Sequence, residues 1–159
     1  MRGLALLAVL LGGCERAPPA DDTPGGRLEA TAVARGLVAD PARAGLAGIW
    51  GSDTDRICIV PAGEELKLGV SVDYGERQSC GASGAVTQRG DRLDIRLGGC
   101  RFAARFDGER ITFPAAIPPA CSRHCRGRAS LSAVAVERQS DAVSEAQLMR
   151  GPWGRPLCS

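Results

Sequence analysis

Two thiols and an imidazole fall within five residues at Cys121-Ser122-Arg123-His124-Cys125, a concentration of ligand types that could hold a metal ion. The spacing points elsewhere. Redox and haem-attachment motifs place two residues between their cysteines, whereas three intervene here, and Arg123, Arg126 and Arg128 would repel a cation. Structural disulfides are therefore expected, with no metal and no cofactor. His124 is the sole histidine, so any Ser-His or Cys-His mechanism would depend on it. It reads as an exposed loop residue.

Other constellations weigh less. Gly81-Ala82-Ser83-Gly84 approaches a nucleophile elbow, but Ala85 occupies the position of the final glycine and no helical pattern follows. Asp53-Thr54-Asp55-Arg56 pairs two carboxylates that could divide acid and base roles if their surroundings differed. A solvated loop is the expected setting. Arg89-Gly90-Asp91 has the composition of a hairpin tip. Arg123, Arg126 and Arg128 could meet anionic lipid headgroups or wall-associated acids, although a solvated loop face is the simpler expectation. No catalytic residues are assigned. A small enzyme using Asp53, Asp55 or His124 is the least favoured reading.

The elements that would position these residues are mainly β. Leu66, Leu68, Val70, Val72 and Tyr74 alternate with polar or small residues, the period of a strand with one buried face. Strands are also expected at Ala82 to Gln88, Arg92 to Leu97, Cys100 to Phe106 and Glu109 to Phe113. Gly98-Gly99 and Asp107-Gly108 supply tight turns between them, giving an antiparallel meander. Ile57 to Val60 and Ser130 to Gln139 add two more. Between Phe113 and Ala129 lies a Pro-rich, Cys-containing loop. A helix is expected over Arg27 to Val38, a brief turn over Pro41 to Ala44, and a final helix capped by Ser140 or Asp141 and ending near Arg150. Six or seven strands with short turns make a small antiparallel barrel or sandwich with short helices at both chain ends, stapled by disulfides.

Composition bounds the possible functions. The chain has 159 residues, 4% of them aromatic, and 20 basic residues against 18 acidic ones. That near balance gives no reason to invoke nucleic acid. Lys67 is the single lysine among nineteen arginines, a bias attributable to a GC-rich genome.

The N-terminus carries a resemblance. Arg2 precedes the apolar run Gly3 to Leu11, the layout of a secretory signal and too short for a spanning helix of about 20 residues. Leu11-Gly12-Gly13-Cys14 resembles the lipobox of bacterial prolipoproteins. The resemblance implies removal of residues 1–13 and lipidation of Cys14, whose acyl chains would make the bilayer a partner. A signal of 13 residues is shorter than usual, so the start codon is expected upstream. The expected plan is a signal over 1–13, lipidated Cys14 with a disordered tether over 14–26, a short helical segment over 27–46 and a β domain over 47–159. With Cys14 lipidated, Cys58, Cys80, Cys100, Cys121, Cys125 and Cys158 form an even set in an exported chain. Fifteen connectivities are open. The preferred set joins Cys58 with Cys80, and Cys100 and Cys158 each with one of Cys121 and Cys125.

Gly48-Ile49-Trp50 is similar to the entry motif of lipocalin-like proteins, in which the tryptophan closes one barrel end. That resemblance implies a carrier of a small apolar ligand. The favoured expectation is a non-enzymatic binding module facing the periplasm, on the outer rather than the inner membrane, with an envelope protein or small apolar ligand as partner. An inhibitor of an envelope hydrolase is a variant of it.

Overall fold

The computed structural model describes residues 23–37, 40 and 43–159. Cys14, the expected signal and the expected 14–26 tether as far as Asp22 lie outside the described residues. Helix α1 spans Pro24–Ala34, with the Thr23 hydroxyl accepting from the Gly26 amide at 3.0 Å. It thus starts three residues before the expected Arg27, because Thr23-Pro24 supplies a cap and a pre-set first turn. None of its residues is buried, and Leu28 points to solvent. The brief turn follows at Asp40, whose carbonyl accepts from the Arg43 and Ala44 amides.

The alternating segments form strands β1 (Gly48–Gly51), β2 (Asp55–Ala62), β3 (Glu65–Asp73), β4 (Ser79–Arg89), β5 (Arg92–Leu97), β6 (Cys100–Phe106), β7 (Arg110–Thr112), β8 (Cys125–Arg126) and β9 (Ala135–Ser140). Each of β1 to β6 pairs antiparallel with the next, β7 pairs with β9, and β9 returns to β1. Eight strands thus close a barrel, which removes every unpaired sheet edge within the ring. β8 lies outside it and pairs with the start of β4. The strands expected over Ile57 to Val60, Leu66 to Tyr74 and Glu109 to Phe113 match within a residue or two, β4 begins three residues before the expected Ala82, and β5 and β6 match in full. Expected strand Ser130 to Gln139 is shorter at its start, because Leu131 and Val134 enter the barrel from irregular chain.

Period-two alternation fills the interior. Ile57, Ile59, Leu68, Val70, Val72, Leu93, Ile95 and Leu97 are 0–1% exposed. Trp50 meets Phe106 edge to face at 5.6 Å, and Phe102 meets Phe113 at 4.8 Å, so four of the six aromatics concentrate where they cover most area. An eight-stranded barrel has an interior that side chains of this size can fill.

The chain enters at Gly48, and this entry end also carries the β2–β3, β4–β5 and β6–β7 turns. The opposite end receives the long excursion from Phe113 to Val134. That segment contains a 3-10 helix, Pro119–His124, and lays Leu131 and Val134 over the barrel mouth. We call it the plug. Two disulfides fix it: Cys100–Cys121 from the β5–β6 turn and Cys80–Cys125 from the start of β4. The third joins Cys58 to Cys158.

The preferred pairing of Cys58 with Cys80 is thus corrected, as is that of Cys158 with a plug cysteine. The reason is strand parity. Ile57 and Ile59 face inward, so Cys58 faces outward; Cys80 shares the inward face with Ala82 and Val86. Cys58 instead lies with Val60, Ala146 and Leu157 in a small outer cluster under helix α2, Val143–Leu148. Neither Ser140 nor Asp141 caps this helix; Ala142 occupies the N-cap, and the Ser140 hydroxyl accepts from the Ala142 amide one residue too early. The chain beyond α2 then crosses the outside of β2, β3 and β4, where Ser83 donates to the Leu157 carbonyl at 2.7 Å. Ser83 of the rejected elbow is therefore a strand residue that holds the tail.

Candidate functional site

Two of the six aromatic residues are exposed, Tyr74 at 48% and Trp153 at 38%. Both lie at the plugged end. In a chain with so few aromatics, leaving two in water forgoes burial that the fold could use, which marks a surface with another task. Tyr74 opens the β3–β4 turn, where Glu76 and Arg77 are held at φ of 45° and 65°. Such left-handed backbone is uncommon for residues with a Cβ and persists where surrounding structure enforces it. The Tyr74 amide donates to the Gln78 carbonyl, and Asp73 accepts from the Gly75 amide, fixing the turn.

Trp153 is presented by a tight loop of the tail, closed by Gly151 donating to the Arg155 carbonyl and Leu157 donating to the Met149 carbonyl. Its ring lies over β4 at Gly81, where a Cβ would fall 3.2 Å from the ring and 3.3 Å from Pro152. The Arg126 guanidinium sits 4.6 Å from the ring centroid, a cation–π contact that joins tail to plug. Two open clefts flank this loop and share Asp73, Gly75 and Pro152. One, of about 520 Å³, is lined by Asp53, Arg56 and Arg150; the other, of about 700 Å³, by Arg77, Arg126 and Trp153.

The sequence-derived candidates distribute around this rim. Asp53 is exposed in the β1–β2 turn. Asp55 is buried at 9% exposure, not solvated as expected, because the inward parity of Ile57 and Ile59 carries back to it. Burial raises its pKa above the ordinary carboxylate value, while hydrogen bonds from Thr54 and Ser52 oppose the rise. Burial, and then the negative charge of Asp55, push the Tyr74 phenol upward. The Tyr74 phenol therefore senses the Asp55 carboxylate. His124 is half-buried, not exposed, with Nε2 3.0 Å from the Leu97 carbonyl oxygen, so it ties the plug to the end of β5. Cys121 and Cys125 bond to different partners, which leaves neither thiol for a metal.

The charges divide between the ends. From Ile111 to Val136 there is no carboxylate, while Arg123, Arg126 and Arg128 are present and exposed. None of these three, nor Arg77, has a carboxylate within ion-pair distance among the described residues. Arg123 donates to the Ala120 carbonyl within the plug. The β1–β2 and β3–β4 turns at the same end add Asp53, Asp73 and Glu76, whereas the entry-end turns mix Glu64, Asp91, Asp107 and Glu109 with Arg89, Arg92 and Arg110, all three of these arginines being ion-paired.

Trp153 and Tyr74 were missed as site residues. The available signal was an aromatic set among turn formers, in Gly151-Pro152-Trp153-Gly154 and Tyr74-Gly75, where a core contact is not expected. No protein-family model, no curated protein and no solved structure matches this chain.

Proposed function

We propose that this chain is a membrane-anchored envelope lipoprotein whose barrel is a non-enzymatic binding module, presenting its plugged end to the partner. The presentation of Trp153 carries the reading. It stands on a loop fastened by the Cys58–Cys158 disulfide, against a plug fastened by two more, so contact groups are ordered before binding. Preorganisation of this kind reduces the ordering entropy that association would otherwise cost. Trp, Tyr and Arg are the residue types that dominate contact energy at interfaces. Anchoring rests on Leu11-Gly12-Gly13-Cys14. A partner that is an envelope hydrolase, blocked by the rigid end, fits the same surface.

The lipocalin-like carrier is the second reading. A closed eight-stranded barrel with Trp50 at the entry end favours it. The side chains of Trp50, Phe106 and Phe113 occupy interior space such a ligand would need, so the surface reading stands first.

Two experiments test the proposal. Palmitate labelling of the full chain should vanish in Cys14→Ala, and persistent labelling would reject the anchor. A photo-crosslinking side chain at position 153 should give discrete protein or lipid adducts in the envelope, whereas one at exposed Arg105 should not. Equal adduct yields at both positions would reject the plugged end as the binding face.

A further inference from the structure

The plug carries Arg123, Arg126 and Arg128 with no carboxylate from Ile111 to Val136 and no ion-pair partner for any of the three among the described residues, so it stays cationic although Asp53, Asp73 and Glu76 stand in the neighbouring turns. Arg123 and Arg126 border the 3-10 helix and β8, Arg128 follows Gly127, and Arg77 projects from the neighbouring β3–β4 turn beside the same cleft. These side chains extend from turns and a disulfide-held loop, so they project from the barrel end. Trp153 and Tyr74, the two exposed aromatics, share that end. Amphipathic aromatic rings alongside basic side chains suit one surface in particular. Indole and phenol rings settle at the headgroup level of a bilayer, where guanidinium groups meet phosphate.

We infer that the plugged end is a second membrane contact, which docks on anionic phospholipid headgroups through Arg77, Arg123, Arg126 and Arg128, with Trp153 entering the headgroup layer. This rests on the anchored-module reading above, because the expected anchor keeps the bilayer at high effective concentration and lets weak contacts matter. Each arginine near an anionic surface strengthens attachment about fivefold, so a few of them suffice for a tethered domain. The entry end, where Asp91, Asp107 and Glu109 accompany Arg89, Arg92 and Arg110 and these arginines are already ion-paired, offers no comparable set of free cations, so the docked orientation is polar. Between Cys14 and Gly48 the chain has enough residues to pass alongside a barrel whose longest strand has 11 residues. An acidic protein is the competing partner, and the test separates the two.

Trp50 is 0% exposed, so a neutral aqueous quencher such as acrylamide reports on Trp153 alone. The full chain is reconstituted on phosphatidylcholine vesicles with and without phosphatidylglycerol. The expected result is a quenching slope at least about threefold lower on the phosphatidylglycerol vesicles, recovering near 0.5 M salt where the screening length shrinks to about 4 Å. The Arg123→Gln/Arg126→Gln/Arg128→Gln variant should lose the protection with an unchanged melting temperature, and the corresponding triple Lys variant should retain it. Equal slopes on both vesicle types would overturn the inference. So would protection by soluble polyglutamate but not by phosphatidylglycerol, which would point to an acidic protein. A chain that fails to float with phosphatidylcholine vesicles rejects the anchor instead; docking is then read from salt-sensitive flotation with phosphatidylglycerol, and its absence overturns the inference.

Discussion

The guanidinium of Arg138 lies 4.0 Å from the centroid of the Trp50 ring, joining β9 to β1 at the seam where the last barrel strand meets the first. The same side chain donates to the carbonyls of Gly45 and Ala47, and the Trp50 indole donates to the Leu46 carbonyl at 3.0 Å. The segment before β1 is thereby folded over the entry end. Burial lowers the Arg138 pKa, with Asp141 partly restoring it, so the cation is held in a place that water only partly reaches. A stacked cation of this kind contributes about 1–2 kcal/mol.

Arg138→Ala should lower stability by roughly 2–3 kcal/mol, since stacking and two carbonyl partners are lost together. Arg138→Lys should recover less than half, because an ammonium cannot stack and bridge in one plane. Thermal unfolding followed by circular dichroism measures both. A Lys variant as stable as the native chain would show that the charge alone matters.

Phe106→Ala should cost about 3–5 kcal/mol, the range for a large ring removed from a packed core. Phe106 is fully buried and forms the edge contact with Trp50. Denaturant titration would register the loss. If the variant instead gained affinity for a small apolar ligand, the cavity so made would identify where a carrier function could arise.

Gly69 decides where the tail can lie. A Cβ there would fall 2.5 Å from the Leu157 Cβ and 2.8 Å from the Cys58 sulfur, so Gly69→Val should push the tail off β3 and impede the Cys58–Cys158 bond. Opening that bond, which closes a span of 100 residues, removes up to about 4.7 kcal/mol on the chain-entropy account. Limited proteolysis between α2 and Leu157 should become fast while the barrel survives. A tail as resistant as the native one would contradict this.

Asp55 makes stability depend on pH with a definite sign. Its pKa is raised in the folded state above the ordinary 3.8, so the native chain holds that proton more tightly than the unfolded chain. Stability from this group therefore falls as pH rises through the interval above 3.8, and is restored below it. Asp55→Asn should be as stable as the native chain or more so above about pH 6, with the advantage vanishing below about pH 4. Unfolding midpoints across that range check it, and an advantage independent of pH would rule out the carboxylate as its source.

Much of the barrel was legible because its signals are local. The alternation from Leu66 to Tyr74 and the turn residues at Gly90, Gly98 and Gly108 act over two to four residues, and they place β3 to β7 closely. Ser130 to Val134 misled because an apolar pattern that enters a core from a loop looks like one that enters from a strand. Asp55 misled for the related reason that a polar sequence context does not report which way a strand residue points.

The sequence by itself determined that six of the seven cysteines lie in the body beyond Cys14, that the body is an antiparallel meander, and that the apolar N-terminal run ends in a lipobox-like tetrapeptide. Only the tertiary structure decided that Cys58 reaches across 100 residues to Cys158, that the Phe113 to Val134 excursion stoppers one barrel end, and that Trp153 comes to lie beside Arg126. Local spacing fixes turns and periodicity, whereas the face on which a side chain emerges depends on barrel closure, a condition shared by all eight strands at once. A cysteine finds its partner, and an exposed aromatic its companions, only after that closure has set inside against outside.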